Sequence, residues 1–217
     1  AMSNLLEVCV DSLVSARCAV SGGADRLELC SALSVGGLTP YVALLRQIRK
    51  ESQIPIRCLM RPRPGDFLYT PDEIKLMCDQ MKELKSEGAD GFVIGCLTSE
   101  GTLDKHFMEK LIEAAEGAPL TLHRCIDVSA NPLKTYLSAG EMGIDTVLTS
   151  GAASSALSGK KVIEDMIWLR DKLNAPEVLI GGGVSAAVIR KFKDKNPKTR
   201  AFHMSGKIEI ESGMNFR

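Results

Sequence analysis

The chain has 217 residues, 27 basic against 27 acidic, with one Trp, three Tyr and six Phe. That length suits one large domain over residues 1–217 and falls short of two comfortable ones. The charge balance argues against a nucleic-acid clamp or a polybasic membrane surface, and the scarcity of aromatics against a platform for single strands. No apolar run reaches the ~20 residues of a membrane helix, and no secretory signal is visible.

Ala1-Met2 reads as an added residue ahead of a native Met. The first strand is then Leu5–Val10, and the second, Arg26–Leu29, nearly copies it: Leu6-Glu7-Val8-Cys9 against Leu27-Glu28-Leu29-Cys30. Residues two apart in a strand share a face, so each carboxylate lies on the side of its own thiol. Further strands are expected at Ile56–Met60, Gly91–Ile94, Leu120–His123, Thr146–Thr149, Glu177–Ile180 and Ala201–His203. Between them, apolar residues three and four apart mark helices, most clearly Tyr41–Lys50, Asp72–Ser86, His106–Ala115, Lys160–Leu173 and Ala186–Lys193. Thr39-Pro40 and Thr70-Pro71 read as caps followed by Pro in the first turn, and Gly88, Gly117 and Gly143 as helix stops.

Eight strands alternating with seven helices predict an α/β fold with a parallel sheet, closed as a TIM-type (β/α)8 barrel whose last helix is short or missing. An open doubly wound sheet is the second choice, but no Gly-rich dinucleotide fingerprint follows the first strand. Wall left bare by a missing helix would invite a homodimer or higher homo-oligomer to cover it.

In such a barrel, chemistry sits where the strands end. This chain places Glu7, Cys9, Glu28, Cys30, Arg61, Arg63, His123, Arg124, Gly182, Gly183, His203, Ser205 and Gly206 there. Two buried glutamates need a cation nearby, with Arg61 and Arg63 the first candidates and His123 and Arg124 the next. A polar ligand pocket with Glu7, Glu28 and His123 as acid–base groups competes evenly with an internal ion-pair network. Bare N–H groups at Gly182, Gly183, Ser205 and Gly206, with Arg61, Arg63 and Arg124, suit an anion or phosphate.

The seven cysteines, at 9, 18, 30, 58, 78, 96 and 125, show no C-x-x-C spacing and read as reduced thiols. Cys9 and Cys30 admit three readings: apolar packing, which spacing alone favours; a disulfide; and a pair of soft ligands for Cu(I). A cysteine nucleophile is weaker, since only His123 or His203 could serve as its base. Among the histidines, His123 reads either as a hydrogen-bonded strand end or as a general base opening into the barrel.

LEVC (6–9), GGADRLELC (22–30), GGLTP (36–40), RPRPGDFLY (61–69), LTLHRCID (120–127), LTSG (148–151), GGGV (181–184) and the closing SGMNF together resemble the CutC copper homeostasis family, over Leu5 to Arg217. The resemblance implies a TIM-barrel-like fold, homo-oligomers, a cytosolic place with the nucleus as a second, and a role in handling copper, with Cys9 and Cys30 matching the cysteines suggested to hold Cu(I). Three positions depart from the family: Pro64 in place of Gly, Cys125-Ile126 in place of Ala-Phe, and Met204 after His203. A polar barrel mouth with a glycine loop also keeps open an enzyme acting on a small anionic or phosphorylated metabolite.

Overall fold

The computed structural model describes residues 4–215, so residues 1–3, Phe216 at the end of the closing motif and Arg217 lie outside the described part. Eight strands, β1 (Leu5–Val10), β2 (Arg26–Leu29), β3 (Ile56–Leu59), β4 (Gly91–Ile94), β5 (Leu120–Leu122), β6 (Thr146–Thr149), β7 (Glu177–Ile180) and β8 (Ala201–Met204), form a closed parallel barrel in chain order, with β8 returning to β1. Seven helices alternate with them: α1 (Leu13–Ser21), α2 (Val42–Glu51), α3 (Pro71–Ser86), α4 (Lys105–Ala114), α5 (Pro132–Glu141), α6 (Lys160–Leu173) and α7 (Ala186–Lys195). Among the described residues no eighth helix follows β8, and residues 205–215 run over the surface without regular structure.

The outward strand faces supply the main core. Leu27, Leu29, Ile56, Phe92, Ile94 and Leu122 pack against helix faces that include Leu45, Met77, Met81, Met108 and Ile163, all fully or almost fully buried. At roughly 25 cal/mol per Å² of apolar surface, this shell supplies most of the drive to fold. Two smaller clusters lie inside the barrel. One joins Leu5, Leu148, Leu179 and Ala201, and the other joins Cys9, Cys30, Leu59 and Val93. The interior is polar elsewhere. Arg57 crosses it to donate to Thr121 Oγ1 at 2.7 Å and to Asp145 Oδ1 at 2.8 Å.

Helix starts follow local chemistry. Thr70 caps α3 through a complete capping box with Glu73, with Pro71 in the first turn. Ser12, Asp104, Asn131 and Ser185 cap α1, α4, α5 and α7. Thr39-Pro40 does not act as expected: Tyr41 precedes α2 without a side-chain cap, and the Thr39 hydroxyl instead accepts the Arg61 N–H at 2.9 Å, fastening the loop after β3. Gly88, Gly117 and Gly143 all have positive φ after a helix, as a chain leaving a helix through a left-handed residue requires.

Candidate functional site

Strand alternation turns Glu7 and Cys9 of β1, Arg26 and Glu28 of β2, and His203 of β8 into the barrel. Register then decides which of them meet. Glu7 lies opposite Arg26 on one side and His203 on the other, and Cys9 lies opposite Glu28. The two Glu-x-Cys copies are therefore neighbours offset by two residues, so thiol faces carboxylate across the strand pair.

The cations that Glu7 needs are Arg26 and His203, where Arg61 and Arg63 were expected. Arg26 Nε donates to Glu7 Oε2 at 2.5 Å, and His203 Nδ1 meets Glu7 Oε1 at 2.7 Å. Burial opposes ionisation of Glu7, yet its hydrogen bond to His203 and the charges of His203 and Arg26 hold its carboxyl down to about 2. For His203, burial is likewise outweighed: hydrogen bonds with Cys9 and Glu7 and the nearby Glu28 raise it well above the ordinary histidine range, so it is cationic at neutral pH. Glu7, Glu28 and His203 bring ligating atoms within 4.8 Å of one another, the one such trio among the described residues, and it includes neither cysteine. Both Glu7 oxygens are engaged, Oε2 by Arg26 and Oε1 by His203.

Glu28 differs from Glu7. Its Oε1 accepts the Cys30 S–H at 3.2 Å, and its buried Oε2 has no hydrogen-bond partner and lies 3.9 Å from His203 Nδ1. Burial raises its carboxyl, although the His203 charge acts the other way. Burial and the adjoining Glu28 push the Cys30 thiol well above its ordinary value.

His123 ends β5 and takes a different part from the general base that its position suggested. Its Nδ1 accepts the Cys125 N–H at 3.1 Å in the 3-10 turn Arg124–Val128. The ring proton therefore sits on Nε2, which is buried without a partner. Burial and the Arg61 charge lower its basicity to about 3, so at neutral pH the imidazole is an uncharged donor. Gly95 makes room for it: a Cβ there would fall 2.6 Å from Cys125 Sγ and 2.7 Å from His123 Cε1. Phe67 packs on the ring at 4.8 Å between centroids, tilted by 41°.

Above these groups a cavity of about 390 Å³ opens at the strand ends, lined by Cys9, Glu28, Arg61, Phe67, His123, Arg124, Gly182, Gly183, His203, Met204 and Ser205 among others. It gathers most of the residues singled out in the sequence. Glu7 lies beneath its floor, and Cys30 is fully buried against the loop after β2, where a Cβ on Gly37 would stand 3.6 Å from its sulfur. Arg63 and Gly206 do not line it. Arg63 turns away to Glu73 at 2.6 Å and Asp66 at 3.1 Å, bracing its own loop. Arg124 lines the rim while paired with Asp127 and Ser150, both at 2.7 Å. Arg61 has no carboxylate partner. It donates to the carbonyls of Val35, Gly37 and Gly65 at the cavity wall.

Three participants escaped the sequence reading: Arg26, Phe67, and His203 as the partner of both glutamates. Arg26 was open to discovery, because Arg26-x-Glu28-x-Cys30 alternates with period two and puts all three side chains on one face.

A model of the CutC family matches residues 4–208. The chain is 42% identical over 205 residues to the copper homeostasis protein cutC homolog of Caenorhabditis elegans, covering 94% of this chain and 80% of that protein. It is 40% identical over 213 residues to the human protein of the same name, covering 98% and 77%. The crystal structure of CutC from Streptococcus agalactiae superposes with a TM-score of 0.85 at 26% identity, covering 92% of this chain and 97% of that one. A 2,3-dimethylmalate lyase superposes at 0.61 with 18% identity, covering 93% and 75%, and shares the fold alone. By family model, sequence identity and barrel, the chain is a member of the CutC family.

Proposed function

We propose that this protein serves copper homeostasis by binding Cu(I) at the barrel mouth through Cys9 and Cys30. Thiolates are soft ligands suited to Cu(I), and the relatives' name supplies the physiological setting. The observation that carries the reading is the pairing of thiols with a proton acceptor. Cys9 and Cys30 share one interior cluster, and the Cys30 S–H already points at Glu28. A thiol must lose its proton to ligate a metal. Glu28, with a carboxyl raised by burial, is placed to take the Cys30 proton. Met204 on the same cavity wall offers a third soft atom. Reduced, unpaired cysteines go with a cytosolic place. Self-association is part of the proposal, since outward Leu6 and Val8 of β1 stay only half-buried where an eighth helix would lie; light scattering reads the oligomer mass.

Anaerobic titration with Cu(I) against bicinchoninate tests the ligands. Wild type should withdraw copper from the chelator, and the Cys9→Ser, Cys30→Ser double variant should not. Equal affinity of the two proteins would rule the cysteines out.

A further inference from the structure

We propose that the barrel mouth is also an enolising site for a small carbonyl compound bearing an anionic group, with Glu28 as the base and His123 as the donor to the carbonyl oxygen. The proposal does not rest on copper binding. It uses Glu28 Oε2 and His123 Nε2, neither of which is a copper ligand in that reading.

Three buried, unpartnered polar atoms belong to residues that line one cavity: Arg61 Nε, a donor beside the anion-selecting wall, and the pair used here, Glu28 Oε2, an acceptor, and His123 Nε2, a donor. Buried polar atoms without partners are rare in folded proteins and call for an explanation. The two of the pair have opposite hydrogen-bonding sense. The Cys125 N–H fixes the imidazole tautomer, so the donor is neutral and preset. A neutral imidazole polarises a carbonyl without surrendering its proton, and a carboxylate oxygen with no hydrogen-bond partner of its own is free to receive one. That division of labour suits removal of a proton from carbon next to a carbonyl.

The rest of the mouth selects for charge. Arg61 presents a guanidinium held by three carbonyls and neutralised by no carboxylate. Among the described residues, the N–H groups of Gly182 and Gly183 have no hydrogen-bond partner, and both glycines have positive φ, at 95° and 68°. A carboxylate or phosphate would satisfy these donors. The cavity, about 390 Å³, is at the small end of ligand sites, which restricts the substrate to a few carbons.

The step balances within the site. The α C–H bond breaks and its proton passes to Glu28 Oε2. The electron pair left behind forms the C=C of the enolate, and the carbonyl π pair moves onto oxygen, where His123 Nε2–H meets it. Return of a proton to the same carbon, after Glu28 has traded its own with water, gives exchange with solvent. No oxidant, reductant or co-reactant is consumed.

The test incubates the full chain, reduced and with a chelator present, in D2O with pyruvate, glycolaldehyde phosphate or dihydroxyacetone phosphate. Proton NMR follows loss of the α-proton signal, and calorimetry measures binding of oxalate, a planar enolate mimic. At least one probe should exchange faster than in buffer. Glu28→Gln should remove that acceleration by about 10²–10⁴-fold while oxalate still binds. Arg61→Gln should weaken oxalate binding. No acceleration with any of the three probes overturns the proposal, as does acceleration that survives Glu28→Gln. Should Glu28→Gln fail to fold, Glu28→Asp keeps the charge but retracts the carboxylate; unimpaired exchange in that variant overturns the proposal equally.

Discussion

Replacing Arg26 with Leu removes one of the two cations that hold the buried Glu7 carboxylate. Glu7 is wholly shielded from solvent, and its carboxyl sits at about 2 against an ordinary 4.5. That difference corresponds to about 3 kcal/mol favouring the folded, ionised state, shared between Arg26 and His203. The contribution is present above pH ~4.5 and drains away as pH falls through ~2, because a depressed carboxyl pKa stabilises only while the unfolded chain would be ionised too. Breaking a buried pair from one side costs about 3–5 kcal/mol. With His203 still in place, we expect Arg26→Leu to lose about 3 kcal/mol at pH 7, or roughly 6–12 °C in Tm for a chain of this size. Urea denaturation followed by far-UV circular dichroism reads it. Adding Glu7→Gln should recover part of the loss, since the charge that lacked a partner is gone. A single variant as stable as wild type, or a double variant worse than the single, would refute the ion-triad account.

Three further outcomes follow from the same geometry. His203 carries a raised pKa, so its stabilising share is complete below about pH 6.5 and is lost as pH rises through the raised value; His203→Gln should flatten the alkaline arm of a Tm-against-pH profile, and an unchanged arm would count against it. Gly95→Ala drives a methyl into Cys125 and His123 and should destabilise by about 1–3 kcal/mol in urea denaturation. Thr70→Ala breaks the α3 capping box and should cost about 1 kcal/mol, with Thr70→Ser recovering most of it.

Much of the fold was legible because each strand is a short apolar run and each helix keeps its apolar stripe. Five strands fall where their residues predict, and the other three shift by a single residue at one end: β3 and β5 are each one shorter, and β8 one longer. The (β/α)8 count and the polar strand ends were legible for the same reason. Register was not. Two copies of Glu-x-Cys suggest thiol beside thiol, but the stagger between β1 and β2 sets Cys9 opposite Glu28. Nor was the tautomer of His123, which depends on one backbone N–H in a 3-10 turn. The loop arginines misled because an arginine among glycines and prolines looks free. Arg61 is in fact bound by carbonyls and Arg63 by Asp66 of its own loop and Glu73 of α3, while the working counter-charge, Arg26, sits at the start of a strand.

The contact between His203 and Glu7 joins residues 196 positions apart. One neutralising partner of Glu7 is thus among the last parts of the barrel to leave the ribosome. Until β8 arrives, β1 carries a carboxylate with only Arg26 to offset its burial, so closing the ring early around an incomplete set of strands is penalised. The ion triad therefore works as a completion signal for folding: the barrel gains its full stability only when its final strand docks. Long-range closure of this kind also slows folding, which gives the half-made barrel a period of dependence on its outer apolar shell alone.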